Sequence, residues 1–177
     1  HWQMRLHLKS LESQLAADHE RTRQLSEIGI ALSSQMELKD LLATILTEGR
    51  RIARCEAGSL YLIEKRDDGD AVVFKLAQND AIDVPLADRG MPVSAESLAG
   101  YVAETGEALA LNDVYEIDAS APYSFNDSFD KQTGYRTRSM LVLPMRDHRD
   151  QVIGVLQFIN RIEPSDEGPV ITTFGEE

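Results

Sequence analysis

The segment FDKQTGYRTRSMLVLPM, residues Phe129–Met145, places a polar loop directly before an apolar run. The loop carries two threonines, two arginines and a glycine, and the run that follows is almost wholly hydrophobic. Such a run predicts a buried strand. Hydroxyl and guanidinium groups at its start predict either a ligand-binding loop or a cap on a sheet. The rest of the chain bears on which interpretation applies.

Hydrophobic patterns on both sides of this segment predict an antiparallel sheet. Strands are expected at Gly58–Lys65, Ala71–Gln78, within residues 108–113, at Ser139–Met145 and at Gln151–Asn160. Turn residues join the first two strands and the last two strands as hairpins. Hairpin-linked strands with helices segregated on the faces of the sheet indicate an α+β layer fold.

Helices are predicted before and between these strands. Residues 94–107 form a short helix with Ser94 as N-cap and Gly106 as C-cap. The region from Val114 to Gly134 is irregular, with a helical turn near Ser128. A further capping-box spacing, Thr173 to Glu176, predicts that another helix begins close to the last residue, so the chain is expected to be a fragment of a larger protein.

The N-terminal third predicts two helices. The first, from Trp2 to about Ser34, carries a stripe of leucines at Leu8, Leu11, Leu15, Leu25 and Leu32. Either a second copy of the chain or the chain's own domain could cover this stripe, and pairing with a second copy is favoured because a polar-sided helix needs a partner. A capping box at Ser34–Glu37 predicts the start of the second helix, whose apolar side is Leu38, Leu41, Leu42, Ile45, Leu46 and Ile52.

Composition excludes several classes of protein. The 177 residues suit one domain with a further segment at one end, and 42% hydrophobic with 27% charged residues are typical of a globular chain. A net charge of −12 with scattered Lys and Arg argues against nucleic acid as a partner. No apolar run reaches the roughly 18 residues that span a bilayer. No direct membrane contact is therefore expected. The single cysteine, Cys55, excludes an internal disulfide and suits a reducing compartment, so a cytoplasmic protein is expected.

Sequence motifs for catalysis and for cofactors are absent. Neither a glycine-rich dinucleotide fingerprint nor a P-loop occurs, and the four histidines do not stand at metal-ligand spacing. Cys55 ends an amphipathic segment, where a buried, inert thiol is expected rather than a nucleophile. The sequence therefore predicts a chain that is not an enzyme and that holds no metal and no cofactor.

Four stretches of the chain resemble the GAF domain family: residues 57–64 (AGSLYLIE), 97–107 (SLAGYVAETGE), 129–145 and 151–161 (QVIGVLQFINR). The likeness is greatest to the branch found in cyclic-nucleotide phosphodiesterases, adenylyl cyclases and HD-GYP phosphodiesterases. It implies a six-stranded antiparallel sheet with dimerisation helices on one face and a ligand-pocket helix and loop on the other. It covers residues 25–177, which are expected to form the GAF domain with its C-terminal helix truncated, and the leucine stripe predicts a coiled-coil-like helix at residues 1–24.

The resemblance assigns ligand contacts to seven positions: Ser59, Leu98, Ala99, Asp130, Thr133, Thr137 and Gln157. The first candidate ligand is a cyclic nucleotide, cAMP or cGMP. The helix expected to begin near Ser94 would offer backbone N–H groups to its phosphate. Gln157 stands where a glutamate is common among family members that bind cyclic nucleotides. The Asn-Lys and Phe positions of those members correspond here to Asn160, Arg161 and Phe174.

Two functions remain open on these residues. One is a non-catalytic sensor that closes its loop over a small ligand and signals through a homodimer to an effector such as a cyclase or phosphodiesterase. The other is a ligand-free dimerisation and relay module. In the loop, Gly134 is expected to turn Thr133 and Thr137 toward the pocket and leave Arg136 and Arg138 outside. The expected core of the sheet is Leu60, Leu62, Leu141, Leu143, Ile153, Val155 and Phe158.

Overall fold

A long helix precedes a six-stranded antiparallel sheet in the computed structural model of this chain. The structure describes residues 2–67, 69–83, 94–166 and 168–175, without the side chains of residues 2–13, 15, 16 and 31. The helices are α1 (Trp2–Ala53), α2 (Leu98–Thr105) and α3 (Ser128–Thr133), with a 3₁₀ turn at Val114–Glu116. The strands are β1 (Cys55–Arg66), β2 (Gly69–Asn79), β3 (Leu109–Leu111), β4 (Met140–Arg146), β5 (Val152–Glu163) and β6 (Val170–Thr172). The chain divides into two compact units, residues 1–41 and 42–177.

Helix α1 runs without interruption, so the predicted start of a second helix at Ser34 is wrong. Neither glycine nor proline stands between Gly29 and Gly49 to break the helix there. Propagation adds one hydrogen bond per residue, whereas a second helix would need a new nucleus. Of the predicted leucine stripe, Leu25 and Leu32 are exposed, and the side chains of Leu8, Leu11 and Leu15 lie outside the described residues. Among the described residues, no helix is both long and apolar enough to cross a bilayer.

The sheet has the order β2-β1-β5-β4-β3, and β6 pairs with the C-terminal end of β5. The central strand β5 therefore pairs with three others, all antiparallel. Strand β6 occupies residues directly before Thr173, where the sequence predicts a helix start. Thr173 itself is irregular, and Glu176 of that capping box lies outside the described residues.

Each face of the sheet carries its own hydrophobic cluster. On one face, Leu42 and Leu46 of α1 pack with Leu60 and Phe158, and Leu62, Leu141 and Leu143 lie half-buried beside them. On the other face, α2 packs on β4 and β5 through Leu98, Ala99, Val102, Met140, Val142 and Val155. Alternation along the strands assigns neighbouring residues to opposite faces. The predicted two-faced sheet is thus confirmed.

One member of the predicted core is wrong. Ile153 is 45% exposed, although its neighbours Gly154 and Val155 are buried. The pairing of β4 with β5 passes from Met145↔Gly154 directly to Arg146↔Val152, so Ile153 has no partner residue on β4. A β-bulge of this kind turns the extra residue away from the regular alternation.

Candidate ligand-binding site

Helix α2 begins three residues later than the sequence predicts. Ser97, not Ser94, is its N-cap, and the Ser97 hydroxyl accepts a hydrogen bond from the Gly100 N–H at 3.0 Å. Ser94 instead closes the preceding turn, because its carbonyl accepts from the Ser97 N–H at 3.0 Å. The predicted C-cap, Gly106, is confirmed, with φ of 70°.

This start places Leu98 and Ala99 in the first turn of α2. The backbone N–H groups of the first residues of a helix have no acceptor within it, and they lie at the positive end of its dipole. Gly100 permits the turn before the helix to fold against it, because a Cβ at residue 100 would overlap the Ser94 carbonyl and come within 2.8 Å of Ala95 Cα.

A polar pair lies on the sheet face that α2 covers. Ser59 of β1 and Gln157 of β5 are directly paired residues, and the Ser59 hydroxyl donates to Gln157 Oε1 at 2.9 Å. The hydroxyl of Tyr61, two residues along the same strand, donates to the same oxygen at 3.2 Å. Ser59 and Gln157 are 6% and 8% exposed. Two of the seven predicted residues, Ser59 and Gln157, therefore belong to one buried hydrogen-bonded unit. Tyr61 is a third member of this unit, and the sequence analysis did not predict it.

A second polar unit joins the predicted residues Asp130 and Thr137. Asp130 Oδ1 accepts from the Thr137 hydroxyl at 2.8 Å, and Asp130 Oδ2 accepts from the Thr137 N–H, also at 2.8 Å. The Tyr115 hydroxyl donates to Oδ2 at 2.8 Å. Asp130 and Thr137 are both buried. The Asp130 carboxylate thus links two parts of the segment before β4, and it also accepts a hydrogen bond from Tyr115 of a different segment.

Thr133 does not join either unit. Its side chain is exposed, and its hydroxyl donates to the Phe129 carbonyl at 2.8 Å and accepts from the Tyr135 N–H at 3.2 Å. The expectation that Gly134 turns both threonines inward is therefore wrong for Thr133. Gly134 does adopt the left-handed conformation, with φ of 73°, but it does so as the C-cap of α3, and Thr133 caps the same helix end.

The arginines of the loop lie outside, as the alternation predicts. Arg136 and Arg138 are exposed on either side of buried Thr137. The Arg136 guanidinium lies 3.7 Å from the centre of the Tyr115 ring and 3.2 Å from the Asp113 carboxylate. A guanidinium over an aromatic face is an attractive contact, which here holds the tyrosine from its outer side.

A cavity of about 530 Å³ opens beside this tyrosine. Its walls include three aromatic side chains, Tyr115, Tyr123 and Phe125, and three acidic ones, Glu96, Asp118 and Asp127. The lining contains Tyr115 but none of the seven predicted residues. The described residues of this lining include no Lys or Arg, so they suit a neutral or cationic group better than a phosphate.

The loop after α3 is fixed to the sheet by a third polar unit, which the sequence did not reveal. Asn160, fully buried on β5, donates through Nδ2 to Glu56 Oε1 at 2.8 Å and to the Tyr135 hydroxyl oxygen at 2.9 Å. Asn160 Oδ1 accepts from the Arg138 N–H at 2.7 Å. Tyr135 donates to Glu56 at 2.7 Å, and burial followed by this carboxylate raises the pKa of the Tyr135 hydroxyl. The resemblance had singled out Asn160, but its partners come from distant segments.

Nucleophilic and metal chemistry find little support among the described residues. Burial raises the pKa of the Cys55 thiol to about 11, so the thiol is protonated near neutral pH. In the described ranges, no three His, Cys, Asp or Glu side chains are grouped so that they could hold a metal ion.

A sequence model of the GAF domain matches residues 37–175. The chain belongs to the GAF domain family. This GAF domain is 29% identical over 140 residues to the dual 3′,5′-cyclic-AMP and -GMP phosphodiesterase 11 of Drosophila melanogaster. The match covers 74% of this chain but only 9% of that protein. Because GAF domains are in general regulatory modules, the family indicates a sensory or regulatory role for this chain.

Solved structures share the fold of this GAF domain. NreA from Staphylococcus aureus, mutated in its nitrate-binding site, superposes with a TM-score of 0.54 at 16% identity, over 80% of this chain and 96% of that chain. The GAF domain region of a putative membrane protein from Geobacter sulfurreducens PCA gives 0.53 at 11% identity, over 81% and 83% of the two chains. At these identities the likeness shows the α+β GAF fold and nothing about the ligand.

Proposed function

We propose that this GAF domain binds a cyclic nucleotide between α2 and the sheet, and that α1 passes the bound state to a signalling effector. The observation that supports this most is the Ser59–Gln157 pair, buried on the sheet face that α2 covers, beside a largely apolar cluster. Burying polar side chains in such a layer is unfavourable unless they are hydrogen-bonded. Replacing both members of such a pair by apolar residues of the same shape is commonly neutral or stabilising, so packing does not require the pair, which fits recognition of a polar ligand.

The chemistry of Gln157 suits a purine. Its side-chain amide carries both a hydrogen-bond acceptor and two donors. Adenine and guanine expose different arrangements of donors and acceptors, and an amide is able to pair with either one. A glutamate at this position would offer acceptors alone. The glutamine therefore favours a site that accepts both cAMP and cGMP.

The phosphate is assigned to the start of α2. The N–H groups of Leu98 and Ala99 have no acceptor within the helix, and an anion there interacts favourably with the helix dipole. The carboxylates of Glu96, Asp118 and Asp127 line the cavity beside Tyr115 and would repel a phosphate placed there. A nucleotide bound near the start of α2 and near this cavity would turn its base or ribose, rather than its phosphate, toward the cavity.

Thermal unfolding of the domain with cAMP, cGMP and cyclic dinucleotides tests this proposal. Binding to the native state alone raises the melting temperature as ligand concentration exceeds Kd. Gln157→Leu should remove the shift, whereas Gln151→Leu, in the exposed turn between β4 and β5, should retain it. Absence of a shift with every cyclic mononucleotide at millimolar concentration would contradict the proposal.

A second candidate function is a dimerisation and relay module without a ligand. The observation that favours it is that the polar side chains of the site satisfy one another: Ser59 and Tyr61 bond to Gln157, and Thr137 and Tyr115 bond to Asp130. A site closed in this way is stable without any ligand. The thermal experiment separates the two candidates, because this second one expects no stabilisation by any nucleotide.

Both candidates use α1 as the element that joins two copies of the chain. The described part of α1 carries exposed apolar side chains at Leu25, Ile28, Ile30, Leu32, Met36, Leu38, Leu41, Ile45 and Ile52. On the second unit, a groove of about 460 Å³ lies beside Ile52, Leu141 and Phe174. Helices with so much exposed apolar surface gain stability by pairing, and a homodimer is the arrangement proposed here.

A further inference from the structure

Tyr115 stands between the cavity and the Asp130 carboxylate. Its ring forms part of the cavity wall, while its hydroxyl donates to Asp130 Oδ2 at 2.8 Å. Asp130 is 6% exposed and is not part of that wall. Among the described residues, the other donors to the Asp130 carboxylate are the backbone N–H and the hydroxyl of Thr137, seven residues along the same loop. Tyr115 is therefore the contact that covers the carboxylate on the side of the cavity.

The tyrosine is held in this position from two sides. The Arg136 guanidinium lies over its ring, and Asp113 pairs with Arg136 at 3.2 Å. The ring also meets Phe125 edge-on, with centroids 5.3 Å apart. Tyr115 nevertheless remains 41% exposed, so solvent lies on part of its side chain, and rotation toward solvent would exchange the bond to Asp130 for bonds to water.

We propose that Tyr115 is a gate whose hydroxyl occupies the Asp130 site until a ligand displaces it. The proposal rests on the proposed function, in that Asp130 and Thr137 belong to the ligand site. A carboxylate accepts hydrogen bonds only, so the displacing group is a donor, either a ribose hydroxyl or a purine N–H. The gate therefore selects a ligand that carries such a donor, and it excludes an anion without one.

The state of the tyrosine agrees with this role. Desolvation, and then the hydrogen bond to Asp130, raise the pKa of the Tyr115 hydroxyl. The group is consequently protonated and able to donate throughout the neutral range. An apparent affinity falls in proportion to the fraction of molecules whose site is open, so a closed gate weakens binding and slows association.

The first test compares Tyr115→Phe with Tyr101→Phe, using cAMP and cGMP as probes. Tyr115→Phe keeps the ring against Arg136 and removes the donor to Asp130. Loss of a hydrogen bond to a charged acceptor should raise nucleotide affinity by about tenfold, with faster association. The Tyr101 hydroxyl instead donates to Glu107 Oε2 at 3.3 Å and lies outside the cavity lining, so Tyr101→Phe should bind within about twofold of the unaltered domain. Unchanged or weaker binding by Tyr115→Phe would overturn the gate.

The second test needs no nucleotide and so separates the gate from the proposed function. In a Cys55→Ala background, Thr137→Cys supplies one thiol behind the gate, and its alkylation by iodoacetamide reports access. Adding Tyr115→Ala should raise the alkylation rate at least tenfold, and Arg136→Gln should raise it in the same direction. Adding Tyr123→Ala should leave the rate within about twofold. Equal rates in all variants refute the gate even if cyclic nucleotides bind, and faster labelling supports it even if they do not.

Discussion

At the scale of single residues, the loop before β4 uses its polar groups mainly on itself. Thr137 donates twice to Asp130, once through its hydroxyl and once through its backbone. The sequence predicts Thr137 as a ligand contact. The structure adds a second role, because the same hydroxyl satisfies a buried carboxylate. A ligand that uses Thr137 has to exchange partners with Asp130.

We expect Thr137→Val to lower the free energy of unfolding by about 1.5–3 kcal/mol, because it removes a donor from a buried charged acceptor. Thr133→Val is the matched control, since Thr133 is exposed and its loss should be below about 1 kcal/mol. Urea denaturation of both variants measures the difference. Equal stability of the Thr137 variant and the unaltered domain would show that the Asp130–Thr137 bond does not hold the loop.

Cys55 predicts a dependence of stability on pH. Burial raises its pKa to about 11, whereas an unfolded cysteine titrates near 8.5. Between these values the native state binds more protons than the unfolded state, so the free energy of unfolding falls as pH rises. We expect this fall between about pH 8.5 and 11 to be smaller in Cys55→Ala, measured by urea denaturation at each pH. Parallel pH profiles would contradict the buried thiol.

At the scale of elements, the start of α2 depends on a close approach between a turn and the helix. The turn at residues 94–97 lies against Gly100, where a side chain would overlap its backbone. This contact determines which of two serines, Ser94 or Ser97, becomes the N-cap. It also fixes the position of the Leu98 and Ala99 N–H groups, which have no acceptor within the helix.

Gly100→Ala should destabilise the domain by about 1–3 kcal/mol, because overlap with the turn outweighs the better helix propensity of alanine. Gly29→Ala in α1 is the control, since nothing lies within 4 Å of a Cβ there and the change should stabilise by up to about 1 kcal/mol. Chemical denaturation of both variants measures these effects. A Gly100→Ala domain as stable as the original would show that the turn shifts freely.

At the scale of the whole molecule, the exposed apolar residues of α1 predict self-association. We expect light scattering to report a dimer, and we expect removal of residues 1–24 to shift its dissociation to higher concentration. Replacing Leu25 and Ile28, 63% and 55% exposed, with glutamate should weaken the dimer in the full chain. A chain that remains monomeric at high micromolar concentration would contradict this assembly.

The succession of strands along the chain, the helical turn near Ser128 and the family were all predicted from the sequence. Strands were predictable because the pattern that marks a strand lies in consecutive residues. The period of apolar residues along the chain is the same whatever lies across the sheet. Predicted strands such as Ser139–Met145 therefore agree with β4 to within a residue at each end. The resemblance supplied what periodicity did not, namely the sixth strand.

Only the tertiary structure decided which polar groups meet. Ser59 and Gln157 stand 98 residues apart, and Glu56 and Asn160 stand 104 residues apart, yet each pair is hydrogen-bonded. Thr133 and Thr137 are the same residue type in the same loop, but Thr133, at the end of α3, is exposed, whereas Thr137 is buried. A hydrogen bond needs its two atoms within about 3 Å, and chain folding, not local pattern, sets that distance. Each helix and strand could thus be predicted from its own segment, whereas the site depends on how these elements pack together.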